Sequence, residues 1–186
     1  MQFSTLLLMA TSVLALPQGL DTRAKQATCM SGSSKVSDWT VKDFKYEAVY
    51  THNTPKKETN SATVTFTLEN RGVGYKGKCS AKSTAAKKDF FDGKTDYKCE
   101  VASAADSATF RYNRKSGVIS VLQHWGCVQE GGWYEAKGNT TFTPQCSEKN
   151  WKNAHYKEGV NNYSSRRVTC EKKDLKVPVL ELQAVL

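Results

Sequence analysis

Acid–base chemistry needs a group that titrates near neutrality and a neighbour that holds it in place. This chain offers three histidines for the purpose, His52, His124 and His155. His52 precedes Asn53-Thr54-Pro55, a turn by composition, and His155 lies in a polar stretch after Trp151. His124 belongs to an apolar run that ends Trp125-Gly126-Cys127. Small secreted ribonucleases cleave RNA with a histidine, a glutamate and an arginine projecting from one sheet. His124, Glu135 and Arg111 supply those types on runs that could be neighbouring strands. No spacing among the three requires that they meet. The sequence has no G-x-S-x-G elbow and no paired-histidine metal motif. It therefore singles out no catalytic, cofactor-binding or metal-ligating residue, and the expectation is a protein that is not an enzyme. A small ribonuclease-like hydrolase is the alternative.

Cysteine is the other reactive type. Cys29, Cys79, Cys99, Cys127, Cys146 and Cys170 make an even set without a C-x-x-C pair. In an exported chain such a set forms disulfides, although spacing alone leaves the pairing open. Export is what the start of the chain predicts. Residues 1–15 carry a short apolar core with Val13 and Ala15 placed for signal peptidase, although no Lys or Arg precedes that core. Residues 16–28, with Pro17 and Gly19, read as a leader or short pro-segment, and 29–186 as one domain. No later stretch has membrane-spanning length; the apolar C-terminus is interrupted by Pro178, Glu181 and Gln183 and reads as a strand. Asn139 and Asn162 open the sequons Asn139-Thr140-Thr141 and Asn162-Tyr163-Ser164, candidate glycosylation sites of an extracellular protein.

The formal net charge of +9 is concentrated. One cluster runs from Arg71 to Lys98 and includes Lys82, Lys87 and Lys88. A second runs from Lys149 to Lys173 and includes Arg166 and Arg167. If both occupy one side of the fold, they form an anion-seeking surface, with Lys82, Lys87, Lys88, Arg166 and Arg167 as candidate partner-binding residues. A host extracellular protein or an acidic polysaccharide fits such a surface. Nucleic acid is disfavoured, because no zinc finger, helix-turn-helix or stacked-aromatic motif accompanies the charge. Trp125, Trp133, Tyr134 and Trp151 could instead form a sugar-stacking platform, the mark of a cell-wall carbohydrate-binding protein, although such aromatics more commonly pack in a core.

The elements that must position these residues are mostly strands. Ala62 to Leu68 alternates apolar and polar, and so does Ala108 to Tyr112. A turn at Asn113–Gly117 joins the latter to Val118–Trp125, which reads as buried on both faces near its start. Trp39 to Tyr50 alternates with a change of phase at Lys42-Asp43, which predicts a β-bulge. Trp133 to Phe142 reads as a strand pair or one strand kinked at Gly138-Asn139, and 166–170 and 175–182 as the last strands. Ser80–Asp96 and Ser147–Ser165 are too polar to read as strands and are expected to be loops, the first with a short helix as an option. The fold class is all-β: a single antiparallel β-barrel or sandwich stapled by disulfides.

The order Trp39-Thr40-Val41-x-Asp43-Phe44-x-Tyr46, an alternating strand, Cys79 and Cys99, a hairpin, the Trp125 strand, then Cys146 and Cys170 resembles the Alternaria major-allergen-like family of secreted fungal proteins, which includes hypersensitive-response elicitors. The resemblance covers roughly positions 29 to 182. It implies a β-barrel peculiar to fungi, bonds Cys79–Cys99 and Cys146–Cys170, no catalytic residues, and an effector or elicitor acting in the apoplast during virulence. In the allergen, the cysteine matched here by Cys29 joins two chains, which implies a homodimer. Cys127 is an addition to that pattern and allows Cys29–Cys127 within one chain. The basic charge also departs from the acidic allergen, so a partner does not carry over.

Overall fold

The computed structural model describes residues 28–84 and 90–185. The expected signal at 1–15, the expected leader at 16–28 except for Thr28, and Lys87 and Lys88 lie outside the described residues. The chain folds in the order α1 (Cys29–Ser33), β1 (Asp38–Thr54), β2 (Lys57–Asn70), β3 (Lys76–Ser83), β4 (Tyr97–Glu100), β5 (Ser107–Asn113), β6 (Val118–Cys127), a 3-10 turn at Val128–Glu130, β7 (Gly132–Thr141), β8 (Cys146–Lys152), β9 (Ser164–Cys170) and β10 (Lys173–Val185). Strands β1 to β7 follow one another around a sheet. β10 pairs with both β7 and β1, closing an eight-stranded antiparallel barrel. Closure removes the free edges that an open sheet would leave.

β1 is long enough to serve two partners. Its first half pairs with β10, from Asp38↔Pro178 to Phe44↔Lys173. Its second half pairs with β9, from Glu47↔Thr169 to His52↔Ser164, and β8 adds to β9 as an outer hairpin. The switch between partners lies at the predicted phase change. The register slips against β2 between Lys42 and Lys45 and against β10 between Val41 and Phe44. Asp43, at the slip, has φ 54, a left-handed conformation that aspartate tolerates better than most residues. Its backbone N–H donates to Asp174 Oδ1 at 2.9 Å. The bulge restores the phase, so Trp39, Val41, Phe44, Tyr46 and Ala48 all point inward.

Eight strands enclose a space just wide enough for side chains to fill. At one end Phe44 meets Tyr112 at 5.1 Å and Phe142 at 4.9 Å, and Phe66 meets Phe110 at 4.8 Å, all edge-to-face. Phe90 and Phe91 return from the β3–β4 connection to cover this end, and both are buried. The other end is polar. Trp39 Nε1 donates to Gln123 Oε1 at 2.7 Å, Asn70 Nδ2 to the same oxygen at 2.9 Å, and Trp125 Nε1 to Ser33 Oγ at 2.8 Å. α1 brings Ser33 there. Tyr134 holds it by donating to Met30 O at 3.0 Å, and the Cys29–Cys127 disulfide ties it down.

The cysteines pair as Cys29–Cys127, Cys79–Cys99 and Cys146–Cys170, so all six are bonded within the chain. Two element readings change, and between the two readings of Trp133 to Phe142 the single strand is the one found. Val118 to Trp125 is buried on one face only, because Val118 and Leu122 lie half-buried on the outside while Ile119, Val121, Gln123 and Trp125 point in. Trp133 to Thr141 is one strand, and Gly138 marks a close approach: a Cβ there would strike the Pro178 carbonyl oxygen. The polar stretch after Cys146 holds β8, which is exposed along nearly all its length.

Candidate binding face

Paired residues on neighbouring strands project to the same side of a sheet. This rule shows where each candidate stands. His124 pairs with Glu135 across β6 and β7. Both project outward, because Gln123, Trp125, Tyr134 and Ala136 occupy the inward positions. The His124 ring lies on Trp133 at 5.1 Å. Arg111 pairs instead with Ser120, four residues along β6, roughly 13 Å away at strand rise. It is held there by a two-pronged contact with Asp96, at 2.6 and 2.7 Å. That contact holds the Asp96 carboxyl below the usual carboxylate range. The His124, Glu135 and Arg111 constellation is thus not assembled. His52 stands 3.9 Å from Glu58 on a different strand pair, and His155 is exposed in the β8–β9 connection. Among the described residues no group of His, Cys, Asp and Glu has metal-site geometry.

The four proposed stacking aromatics separate as well. Trp125 and Tyr134 are core residues stacked at 5.6 Å, and Trp133 is half-buried against His124. Trp151 alone is open, 51% exposed on β8. Of the candidate glycosylation sites, Asn139 is exposed on β7, and Asn162 is exposed before β9, its Oδ1 accepting from Asn53 Nδ2 at 3.1 Å.

Members of the two basic clusters, Lys82 from the first and Lys149 and Arg167 from the second, share one outer face. Cross-strand register places Ser147, Thr169, Glu47, Thr63 and Lys82 in one rank across β8, β9, β1, β2 and β3. Lys149, Arg167, Val49 and Ser61 form the next rank, and Trp151, Ser165, Thr51 and Thr59 the one after. β2 contributes a lane of hydroxyls, Thr59, Ser61, Thr63, Thr65 and Thr67. Along the sheet surface Lys82 is roughly 16 Å from Arg167 at ordinary strand spacing. Lys42, Lys45 and Lys76 on this face are engaged with Asp174, Glu47 and Glu69. Lys82, Lys149 and Arg167 have no ion pair among the described residues.

Arg166 and Arg167 do not act as a doublet. Alternation sends them to opposite faces of β9. Arg166 lies over the Tyr50 ring at 4.0 Å and pairs with Glu148 at 3.3 Å, so its charge is balanced and its guanidinium packs the hairpin onto the barrel. Arg167 faces out, directly opposite Lys149. The sequence reading missed Lys149 and Trp151 as partners of Arg167. The pattern that would have found them is Lys149-x-Trp151 on one side of a strand, hidden because both faces of β8 are polar.

A family model described as Alternaria alternata allergen 1 matches residues 41–170 of the chain. No curated protein and no solved structure matches it.

Proposed function

Because this chain belongs to the Alternaria alternata allergen 1 family, we propose that this allergen-like fungal protein is a secreted effector or elicitor that works by binding host extracellular components and not by catalysis. One observation carries the reading. Lys82, Lys149 and Arg167 project from a single outer face without acidic partners among the described residues, while Arg111 stands four residues along the strand from the paired His124 and Glu135. Unpaired cations on a rigid sheet accelerate encounter with an acidic partner, and salt screens that attraction over about 8 Å at physiological ionic strength. The filled barrel and three disulfides support a scaffold role for the interior and a recognition role for the surface. The acidic partner is a host extracellular protein or an acidic polysaccharide. The test is binding to plant extracellular material at increasing salt, run beside incubation with total RNA. The expected result is salt-sensitive binding and intact RNA. Magnesium-independent cleavage abolished by His124→Ala would instead establish the hydrolase.

A further inference from the structure

We propose that the outward face of the β8–β9 hairpin, at Lys149, Trp151 and Arg167, binds an acidic polysaccharide of the polyuronate class; this deepens the recognition reading above and rests on it. Lys149 and Arg167 are directly opposed across the hairpin. Two like charges in that position repel and destabilise the pair of strands. The carboxylate that could relieve them, Glu148, points to the other face and is engaged by Arg166. Glu47, one rank away, is engaged by Lys45 at 2.9 Å. The Cys146–Cys170 disulfide closes the base of the hairpin and keeps the two strands in register.

Trp151 adds a different requirement. It stands two residues from Lys149 on the same side of β8, diagonal to Arg167, and is half exposed. Lysine on an edge strand commonly guards against edge-to-edge pairing, and Lys152 and Glu148 already serve that end. A large exposed indole on the same edge works against such protection, so the tryptophan calls for a ligand with a flat apolar face. A uronic-acid polymer combines both features. Each sugar ring has a C–H face that stacks on an indole, and each carries a carboxylate for the opposed cations. Ser165, Thr51 and Ser61 supply hydroxyls beside them for the ring hydroxyls. A single-stranded nucleic acid would call for several stacking aromatics in line, and this face has one.

The test uses the protein secreted from the full chain and measures binding to unesterified polygalacturonate. The fully methyl-esterified polymer, poly-L-glutamate and a single-stranded RNA serve as comparison probes. Lys149→Glu with Arg167→Glu should weaken polygalacturonate binding by about tenfold or more. Lys35→Glu with Lys98→Glu, the latter on β4 four strands from β9, makes the same change in net charge away from the hairpin and should leave binding within about twofold. Trp151→Ala should weaken polygalacturonate binding about tenfold while leaving poly-L-glutamate binding unchanged. The single change Lys149→Glu should also raise Tm by about 1–3 °C, because repulsion becomes attraction, while lowering affinity. If the double reversal does not fold, Lys149→Gln with Arg167→Gln carries the same prediction at about fivefold. Binding that is as tight to poly-L-glutamate and indifferent to Trp151 would overturn the proposal in favour of an acidic protein. Preference for RNA would overturn it in favour of nucleic acid, and equal loss in the remote control would reduce it to net charge. Absence of polygalacturonate binding with an intact leaf response would remove this proposal and leave the effector reading standing; loss of both would remove both.

Discussion

Gln123 is a buried polar residue inside the barrel, and Gln123→Leu tests how the polar end is held. The side chain is 2% exposed, and its Oε1 accepts from Trp39 Nε1 at 2.7 Å and from Asn70 Nδ2 at 2.9 Å. Trp39 is fully buried and Asn70 is 5% exposed, so neither donor has water to turn to. Leucine has nearly the volume of glutamine but no acceptor. Leaving two buried donors unpaired costs about 1–3 kcal/mol each, and burying the leucine methyls returns about 2 kcal/mol. The net loss is about 0–4 kcal/mol, and its midpoint near 2 kcal/mol is roughly 4–8 °C in Tm for a domain of this size. Thermal and guanidinium unfolding with the disulfides intact would measure it. A double-mutant cycle with Trp39→Phe isolates the bond, because that variant also removes a donor. Its losses should fall short of the sum of the singles by about 1 kcal/mol. A Gln123→Leu protein as stable as the parent, with additive losses in the cycle, would refute the claim that this network pins the barrel end.

Two further outcomes follow from the bonds and the carboxylates. Cys29 and Cys127 enclose 98 residues of sequence separation, so Cys29→Ser with Cys127→Ser should cost up to about 4.7 kcal/mol in the chain-entropy model and expose the α1 backbone to hydrogen exchange ahead of the barrel. Asp38, Asp96 and Asp174 are each held below the ordinary carboxylate range by side-chain hydrogen bonds, from Lys176, Arg111 and Lys42 respectively. Groups depressed on folding contribute stability above their unfolded pKa, near 4, and lose it as pH falls through the folded value. Denaturant midpoints should therefore be level from neutrality to about pH 5 and decline below about pH 4, with Arg111→Ala flattening part of that decline. All three carboxylates are solvent-facing, so the effect is small and shrinks in salt.

The barrel was readable where one face of a strand is buried. Ala62, Val64, Phe66 and Leu68 alternate because β2 has water on one side and core on the other. Even the bulge at Asp43 showed as a change of phase, since a residue that leaves the ladder moves every later side chain to the opposite face. β8 was unreadable for the converse reason. It lies outside the barrel wall with solvent on both faces, so no alternation marks it. Gln123 in the core was hidden by its type; its burial depends on donors from β1 and β2, Trp39 and Asn70, far away in sequence. The basic charge was legible as composition, but its division was not. Only the pairing of β9 with β8 and β1 shows that Arg166 is spent on Tyr50 and Glu148 while Arg167 stands free beside Lys149.

The central claim, recognition in place of catalysis, is tested most directly by infiltrating leaf tissue with matched amounts of three folded proteins. These are the parent, a variant with His52, His124 and His155 all replaced by Ala, and Lys149→Glu with Arg167→Glu. The account predicts that the histidine-free protein elicits the parent's response and that the charge-reversed protein elicits a weaker one. A response abolished by removing the histidines and unchanged by reversing the hairpin charges would contradict it.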